Sequence, residues 1–276
     1  MPAVRVVALI ASHDEELFIG GCIEHLHSQG VDTYLIDDGS TDRTVEIAER
    51  CWGRGLIGLE RRPWDGVYRL RSLLERKEEL AATLDADWFL HHDTDEIRLS
   101  PHPSITLAEV LAEVDRQGFN AVNFMEFTFL PTRESPDHDH PRFRDTMRWY
   151  YPFSRGDTDQ VKAWKRQPRR VHLAESGGHL VDFPGRAVCP VRFPMRHYQF
   201  LSPAHAVRKY VRRIHDPRAL AMGWHGGRAT LRPEDVVLPG RDQLRECIND
   251  HHLDPSDPRR THWLFDQEVR VIEAAG

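Results

Sequence analysis

Asp93 and Asp95 are the residues whose types and spacing could do chemistry, and they lie in residues 88–98, WFLHHDTDEIR. Trp88, Phe89 and Leu90 form an apolar, aromatic stretch suited to a buried strand, which opens abruptly into His91-His92-Asp93-Thr94-Asp95-Glu96. If the strand runs on through the acids, Asp93 and Asp95 present their side chains on one side of it. Two carboxylates so placed repel unless something positive lies between them. A hard divalent cation such as Mg2+ or Mn2+ fits, because it takes oxygen ligands from one or two carboxylates and from a substrate's phosphates. The plainer alternative is that the acids solvate a strand end and cap the turn or helix that follows.

The stretches upstream must position such a site. Residues 4–10 (VRVVALI) are almost continuously apolar, as in a central strand covered on both faces, and end at Ala11-Ser12-His13-Asp14-Glu15-Glu16. Acids at the start of the next helix suit its dipole, and Gly30 stops it. Tyr34-Leu35-Ile36 reads as a second strand running into Asp37-Asp38-Gly39-Ser40-Thr41-Asp42, with a helix after it carrying Val45, Ile47 and Ala48. A short strand follows at residues 56–59, then leucines at 70, 73, 74, 80 and 84 recur at helical spacing before the Trp88 strand. Alternation of this kind argues for an open, mostly parallel sheet flanked by helices, which binds ligands beyond the C-terminal ends of its strands. Three such ends are polar and converge in a parallel sheet: at Ser12, at Asp37-Asp38 and at Asp93.

Downstream, Thr106 and Glu109 have the spacing of a capping box, with Gly118 closing the helix. Residues 120–124 and 127–130 are strand-like, and residues 131–145 have the composition of a long polar loop, in which His138 and His140 are weak metal candidates. Residues 147–170 are aromatic and basic, matching either sugar and phosphate contacts or an ordinary amphipathic surface. Ser176-Gly177-Gly178-His179 pairs two glycines with an imidazole, and Arg196-His197-Tyr198 precedes a helix begun by Ser202-Pro203 with the apolar stripe Ala204, Val207, Tyr210, Val211 and Ile214. Its opposite face carries Arg208, Lys209, Arg212 and Arg213, either a solvated surface or a contact for phosphate, an acidic acceptor or a membrane surface. Residues 242–250 and 262–274 are short helical candidates.

Composition narrows the classes. The chain has 276 residues and a formal charge of −6, against a general nucleic-acid binder. No apolar run approaches the roughly 18 residues of a membrane span, and the first residues lack a signal-peptide pattern, so a cytoplasmic protein is expected. Cys22, Cys51, Cys189 and Cys247 are scattered without a C-x-x-C pair, which supports neither a zinc ribbon nor a disulfide framework.

The motifs together resemble the family 2 glycosyltransferases of the GT-A fold, which move a sugar from a nucleotide diphosphate donor to an acceptor. The likeness rests on the first strand into Ser12-His13-Asp14-Glu15-Glu16, on Leu35-Ile36-Asp37-Asp38-Gly39-Ser40-Thr41-Asp42, and on Asp93-Thr94-Asp95-Glu96 as the Asp-x-Asp motif. It covers residues 4–98 well and thins out to residue 214. It implies an α/β, Rossmann-like GT-A domain over residues 1–215 (nucleotide-sugar half 1–98, acceptor half 99–215) and a helical or loop extension over 216–276. By that resemblance Ser12, Glu15, Asp37 and Asp38 meet the nucleotide, Arg76 or Lys77 approaches base or phosphate, and Asp93 lies near the diphosphate. Asp93, Asp95 and His197 are the implied contacts to Mn2+ or Mg2+. An inverting transferase also needs a general base, and the stretch where relatives carry a His-Glu pair reads Glu175-Ser176-Gly177-Gly178-His179 here. That departure makes His179 the first candidate base, with Glu175 and Asp182 behind it, and leaves retention of configuration or loss of activity open. The acceptor class implied is a glycan, a lipid-linked sugar or a small molecule, without nucleic acid and with room for peripheral membrane contact. The competing readings are a nucleotidyltransferase, whose glycine-rich basic loop is missing after the first strand, a degenerate nucleotide-binding scaffold, and a zinc hydrolase on His91, His92, His138 and His140.

Overall fold

The computed structural model describes residues 4–158, 160–224, 226–249 and 252–265. In chain order the elements are β1 (Val6–Ser12), α1 (Ile19–Ser28), β2 (Val31–Asp37), α2 (Thr44–Glu49), β3 (Leu56–Arg61), α3 (Leu70–Thr83), β4 (Trp88–His92), β5 (Glu96–Arg98), α4 (Leu107–Arg116), β6 (Ala121–Phe129), β7 (Trp149–Phe153), β8 (Val161–Lys165), β9 (Phe193–Tyr198) and β10 (Arg245–Glu246), with several single-turn helices between them. Two compact units result. Among the described residues, the first holds 4–65, Leu70–Met125 and Thr158–Met195; the second holds Gly66–Arg69, Glu126–Asp157 and those from Arg196 to Phe265.

In the first unit β3, β2, β1 and β4 form a parallel set in that order. Val6–Ser12 is buried almost throughout because helices cover both faces of the sheet, so the continuous apolar run needs no polar alternation. Ile19, Cys22, Ile23 and Leu26 recur at helical spacing along α1 and pack with β1 and β4 in one core, which α4 joins through Leu107, Val110, Leu111 and Val114. The Thr106–Glu109 capping box forms as its spacing predicts. The connection after β3 returns to the other side of β1, so the sheet changes direction between β1 and β4, the crevice where open α/β sheets bind ligands. The fold class is the α/β arrangement expected: an open sheet with a parallel centre and flanking helices. Beyond β4 the sheet turns antiparallel, through Trp88↔Lys165 onto β8 and Ala121↔Trp164 onto β6.

The second unit contains Glu126–Phe129 of β6, which pairs antiparallel with β7, itself edged by β10. Its core gathers Leu130, Tyr151, Phe153, Phe200, Tyr210, Leu231, Trp263 and Leu264.

Several local expectations change. The strand-like stretches at 120–124 and 127–130 are one strand, β6, because Met125 and Glu126 between them are buried as well. The aromatic, basic region from 147 to 170 supplies β7 and β8, with Tyr150, Tyr151 and Trp164 in the interior rather than on a surface. Ser202 caps the next helix and Pro203 opens it as expected, but α-helix ends at Ala206 and continues as one π-helical stretch, Val207–Val211. Ile214, expected on the apolar stripe, is exposed beyond its end. The 242–250 candidate yields the strand β10 and a single 3-10 turn, Arg241–Gln243; of the 262–274 candidate only the turn Trp263–Phe265 lies within the described residues. No helix among the described residues is long and apolar enough to cross a membrane.

Candidate functional site

The mouth of the first unit is built where β1, β2 and β4 stop together. Register pairs Ser12 with Asp37 and Ile10 with His92, so the three polar ends predicted from sequence lie side by side. The Asp38 backbone N–H donates to the Ser12 carbonyl at 2.8 Å, and His13 Nδ1 lies 2.8 Å from the Asp38 carbonyl oxygen. Asp37 is fully buried and accepts from the Ser40 N–H at 3.3 Å, with the exposed Arg61 guanidinium 3.6 Å away. Gly39 takes φ +72 so that this loop can turn under Trp64, which stacks on His13 with ring centroids 4.0 Å apart. Asp14, at φ 53, accepts from the Thr41 N–H at 2.7 Å, and the Glu15 N–H donates to Thr44 Oγ1 at 2.7 Å, tying the first acidic loop to the second. Ser12 Oγ is buried with no hydrogen-bond partner among the described residues.

The acidic motif is a turn. β4 stops at His92, the Glu96 N–H donates to the Asp93 carbonyl at 3.1 Å, and Glu96 Oε2 accepts from the Asp93 N–H at 3.3 Å. The expected strand through Asp93 and Asp95 therefore does not form, because the Glu96 carboxylate is drawn inward. Lys162 Nζ donates to its Oε1 at 2.7 Å and Arg98 to its Oε2 at 2.6 Å. Burial alone would raise the Glu96 carboxyl, but Lys162 and Arg98 overcome it and hold it at about 2. Arg98 is itself fully buried, donates to His92 Nδ1 at 2.9 Å and lies 4.2 Å from the centre of the Phe124 ring. Asp95 is buried, whereas the Asp93 side chain is 46% exposed, 3.8 Å from Lys162. Its carboxyl is held below the usual range: desolvation opposes this, and the ammonium groups of Lys162 and Lys77 prevail.

Of the two basic residues expected before this motif, α3 brings only Lys77 beneath it. Lys77 Nζ donates to His91 Nδ1 at 2.8 Å and to the His92 carbonyl at 3.2 Å, and burial pushes the amine down to about 8. Burial also lowers His91 well below its ordinary value and His92 to about 3, so both imidazoles are neutral and accept at Nδ1. Arg76 faces β3 instead and spans Glu60, at 2.8 Å, and Glu79, at 3.0 Å.

The stretch expected to supply a base folds onto α3. Buried Glu78 accepts from the Leu173 and Ala174 N–H groups at 2.6 and 2.8 Å and from Arg170 at 2.8 Å. Gly178, at φ +87, lies so close to His91 that an added Cβ would sit 2.8 Å from its Nε2. His179 next to it is exposed. Glu175 is ion-paired to Arg71 at 2.7 Å and Asp182 to Arg186 at 3.2 Å, both on the surface.

His197 belongs to the second unit. Its Nδ1 lies 2.6 Å from Glu126 Oε1, and His262 Nε2 lies 3.8 Å from the same oxygen. Burial lowers His262 to about 3. Sequence reasoning gave Glu126 and His262 no role, and took Lys162 only as one cation of the aromatic, basic stretch from 147 to 170. The signal for Lys162 and Glu126 was a single charge inside an apolar strand, Val161-Lys162-Ala163 and Met125-Glu126-Phe127; His262 sits in a tail without any pattern.

Comparison with known proteins adds the following. Residues 7–102 match the profile described as Glycosyl transferase family 2. No curated protein matches the chain. Among solved structures, S. aureus TarS superposes with TM-score 0.42 at 11% identity over 70% of this chain and 36% of that one. The chain thus spans about a third of the TarS chain. A TarS 1–349 structure in complex with UDP-GlcNAc gives TM-score 0.41 at 12% identity, covering 71% of this chain and 58% of the other. Glucosyl-3-phosphoglycerate synthase from Mycobacterium tuberculosis, in complex with Mg2+ and UDP, gives 0.29 at 23% identity over 45% and 44% of the two chains.

Proposed function

We propose that this chain, whose residues 7–102 match the profile of glycosyl transferase family 2, is a member of that family that binds a nucleoside diphosphate sugar at the joined ends of β1, β2 and β4 and transfers the sugar to an acceptor hydroxyl. The observation that carries the reading is the register itself, which sets Ser12, Asp37 and the acidic turn side by side at the reversal point of a parallel sheet. Ser12 and the Asp37-Asp38 loop, with Glu15 behind it, are the contacts for base and ribose. Ser12 offers an unpaired hydroxyl, and buried Asp37 offers a carboxylate acceptor. Lys77 contributes a positive group under the turn.

The acidic turn fits a hard divalent cation: its donors are carboxylate oxygens, and Asp93 is held ionised and half exposed. Asp93 and Asp95 would hold Mn2+ or Mg2+, which when bound neutralises charge developing on the leaving diphosphate. The protein's own contribution is to keep that turn rigid, through Glu96 locked between Lys162 and Arg98, and to dispose of the acceptor proton. For the proton His179 is the first candidate. Its imidazole is exposed, follows the glycine packed on His91, and can take up a proton near neutral pH. Transfer with inversion, to a glycan, a lipid-linked sugar or a small molecule, is the corresponding reaction.

The test is release of nucleoside diphosphate from UDP-, GDP-, dTDP- and CDP-sugars with and without Mn2+, on the parent chain and on His179→Ala. One donor class should be turned over, slowly by water and faster with its acceptor, and His179→Ala should lower kcat with KM for the donor unchanged. Absence of turnover with every donor, acceptor mixtures included, would contradict the assignment.

A further inference from the structure

We infer that Glu126, His197 and His262 form a binding site in the second unit for a borderline divalent transition metal, with a ligand set that shares no residue with the acidic turn. One ligand atom from each of the three lies within 4.8 Å of the others. Metal–ligand bonds of about 2.0–2.1 Å place neighbouring ligand atoms roughly 3–3.4 Å apart. The two separations on Glu126 Oε1, 2.6 Å to His197 and 3.8 Å to His262, bracket that spacing, and the third pair lies within 4.8 Å, so the three can close on an ion by moving together.

The surroundings hold the ligands in place. Thr128 Oγ1 donates to Glu126 Oε1 at 2.9 Å. The Tyr151 hydroxyl, which accepts the Trp263 N–H at 3.1 Å, lies 3.2 Å from His262 Nδ1 and leaves Nε2 directed at Glu126. Phe153 stacks on the His262 ring, centroids 3.8 Å apart and planes within 13°. Outer contacts of this kind fix the tautomer and orientation of a ligating histidine. Two imidazoles with one carboxylate select Zn2+, Co2+, Fe2+ or Mn2+ over the all-oxygen preferences of Mg2+ and Ca2+. The ligands come from β6, from β9 and from the stretch just before Trp263, so a bound ion would fasten the C-terminal stretch to the sheet of its own unit.

The experiment uses the full chain, stripped with a chelator and titrated with Zn2+ by calorimetry and with Co2+ by visible absorption. The expected result is a one-to-one isotherm, d–d bands with Co2+ and a higher Tm with metal. All three should survive in an Asp93→Ala, Asp95→Ala double variant and be lost in His262→Gln and His197→Gln. Should buried His262→Gln fail to fold, His197→Gln decides, since that ring is partly exposed. Absence of one-to-one binding in the parent would overturn the site. So would binding that survives both histidine variants, or that is lost with the aspartates alone. Nucleotide binding is not a readout, so failure of the transferase reading leaves this result standing.

Discussion

Lys77→Met should reverse its effect on stability between neutral and alkaline pH. Lys77 is buried, and its amine is lowered from 10.5 to about 8. Below about 8 the folded and unfolded chains both carry the proton, and folding bears the full cost of burying the charge. Between about 8 and 10.5 the folded chain releases its proton before the unfolded one does, so stability rises with pH; above that range it is level again. The shift corresponds to about 3 kcal/mol. Methionine removes that cost at neutral pH while leaving His91 Nδ1 and the His92 carbonyl without their donor, a loss of roughly 1–2 kcal/mol. The variant is therefore expected to be about 1–2 kcal/mol more stable than the parent near pH 7 and less stable by a similar amount near pH 10.5. Urea unfolding of both chains across this range reads the difference, in which all other titrating groups cancel. A difference that stays constant with pH would refute the charged, buried amine. Nucleotide affinity should fall in the variant even where its stability is higher, since a group placed for a ligand costs stability without it.

Two further substitutions probe the same frame. Glu96→Gln strands Lys162 and Arg98 without their shared carboxylate and should destabilise by about 3–5 kcal/mol in urea. Because Glu96 is held at about 2 against an ordinary 4.5, its contribution is complete above the unfolded value and lost as pH falls toward 2, so the variant's acid limb should be flatter. Gly39→Ala forces an L side chain to φ +72 with its Cβ colliding with the Trp64 Cβ and 2.9 Å from the Trp64 nitrogen. The left-handed conformation alone costs about 1–2 kcal/mol, which a thermal melt should show as a drop of several degrees, together with weaker nucleotide binding.

Much of the first unit was legible because its signals are local. Continuous apolar runs for strands covered on both faces, the 3.6-residue stripe of α1 and the Thr106–Glu109 box each specify an element without reference to distant chain. Convergence of Ser12, Asp37 and Asp93 followed from parallel topology alone. The geometry of the acidic motif did not, because Glu96 is pulled inward by Lys162, sixty-six positions along the chain. Nor could spacing separate Arg76 from Lys77: neighbours on a helix point in different directions, and only the packed position of α3 decides which lies under β4. The second unit was the least readable. β6 runs unbroken through Glu126, and the two histidines completing its cluster come from two further, separated stretches with no common period.

The central claim is that the acidic turn and the β1–β2 ends bind a nucleoside diphosphate. Thermal shift with UDP, GDP, dTDP and CDP, each with and without Mn2+, on the parent and on Asp95→Ala tests it most directly. One nucleotide should raise the Tm of the parent in a metal-dependent way, by the stabilisation a ligand confers on the native state alone, and Asp95→Ala should abolish the metal-dependent part. A parent chain whose Tm is unmoved by any of the four, or an Asp95→Ala chain that responds as the parent does, would contradict the account.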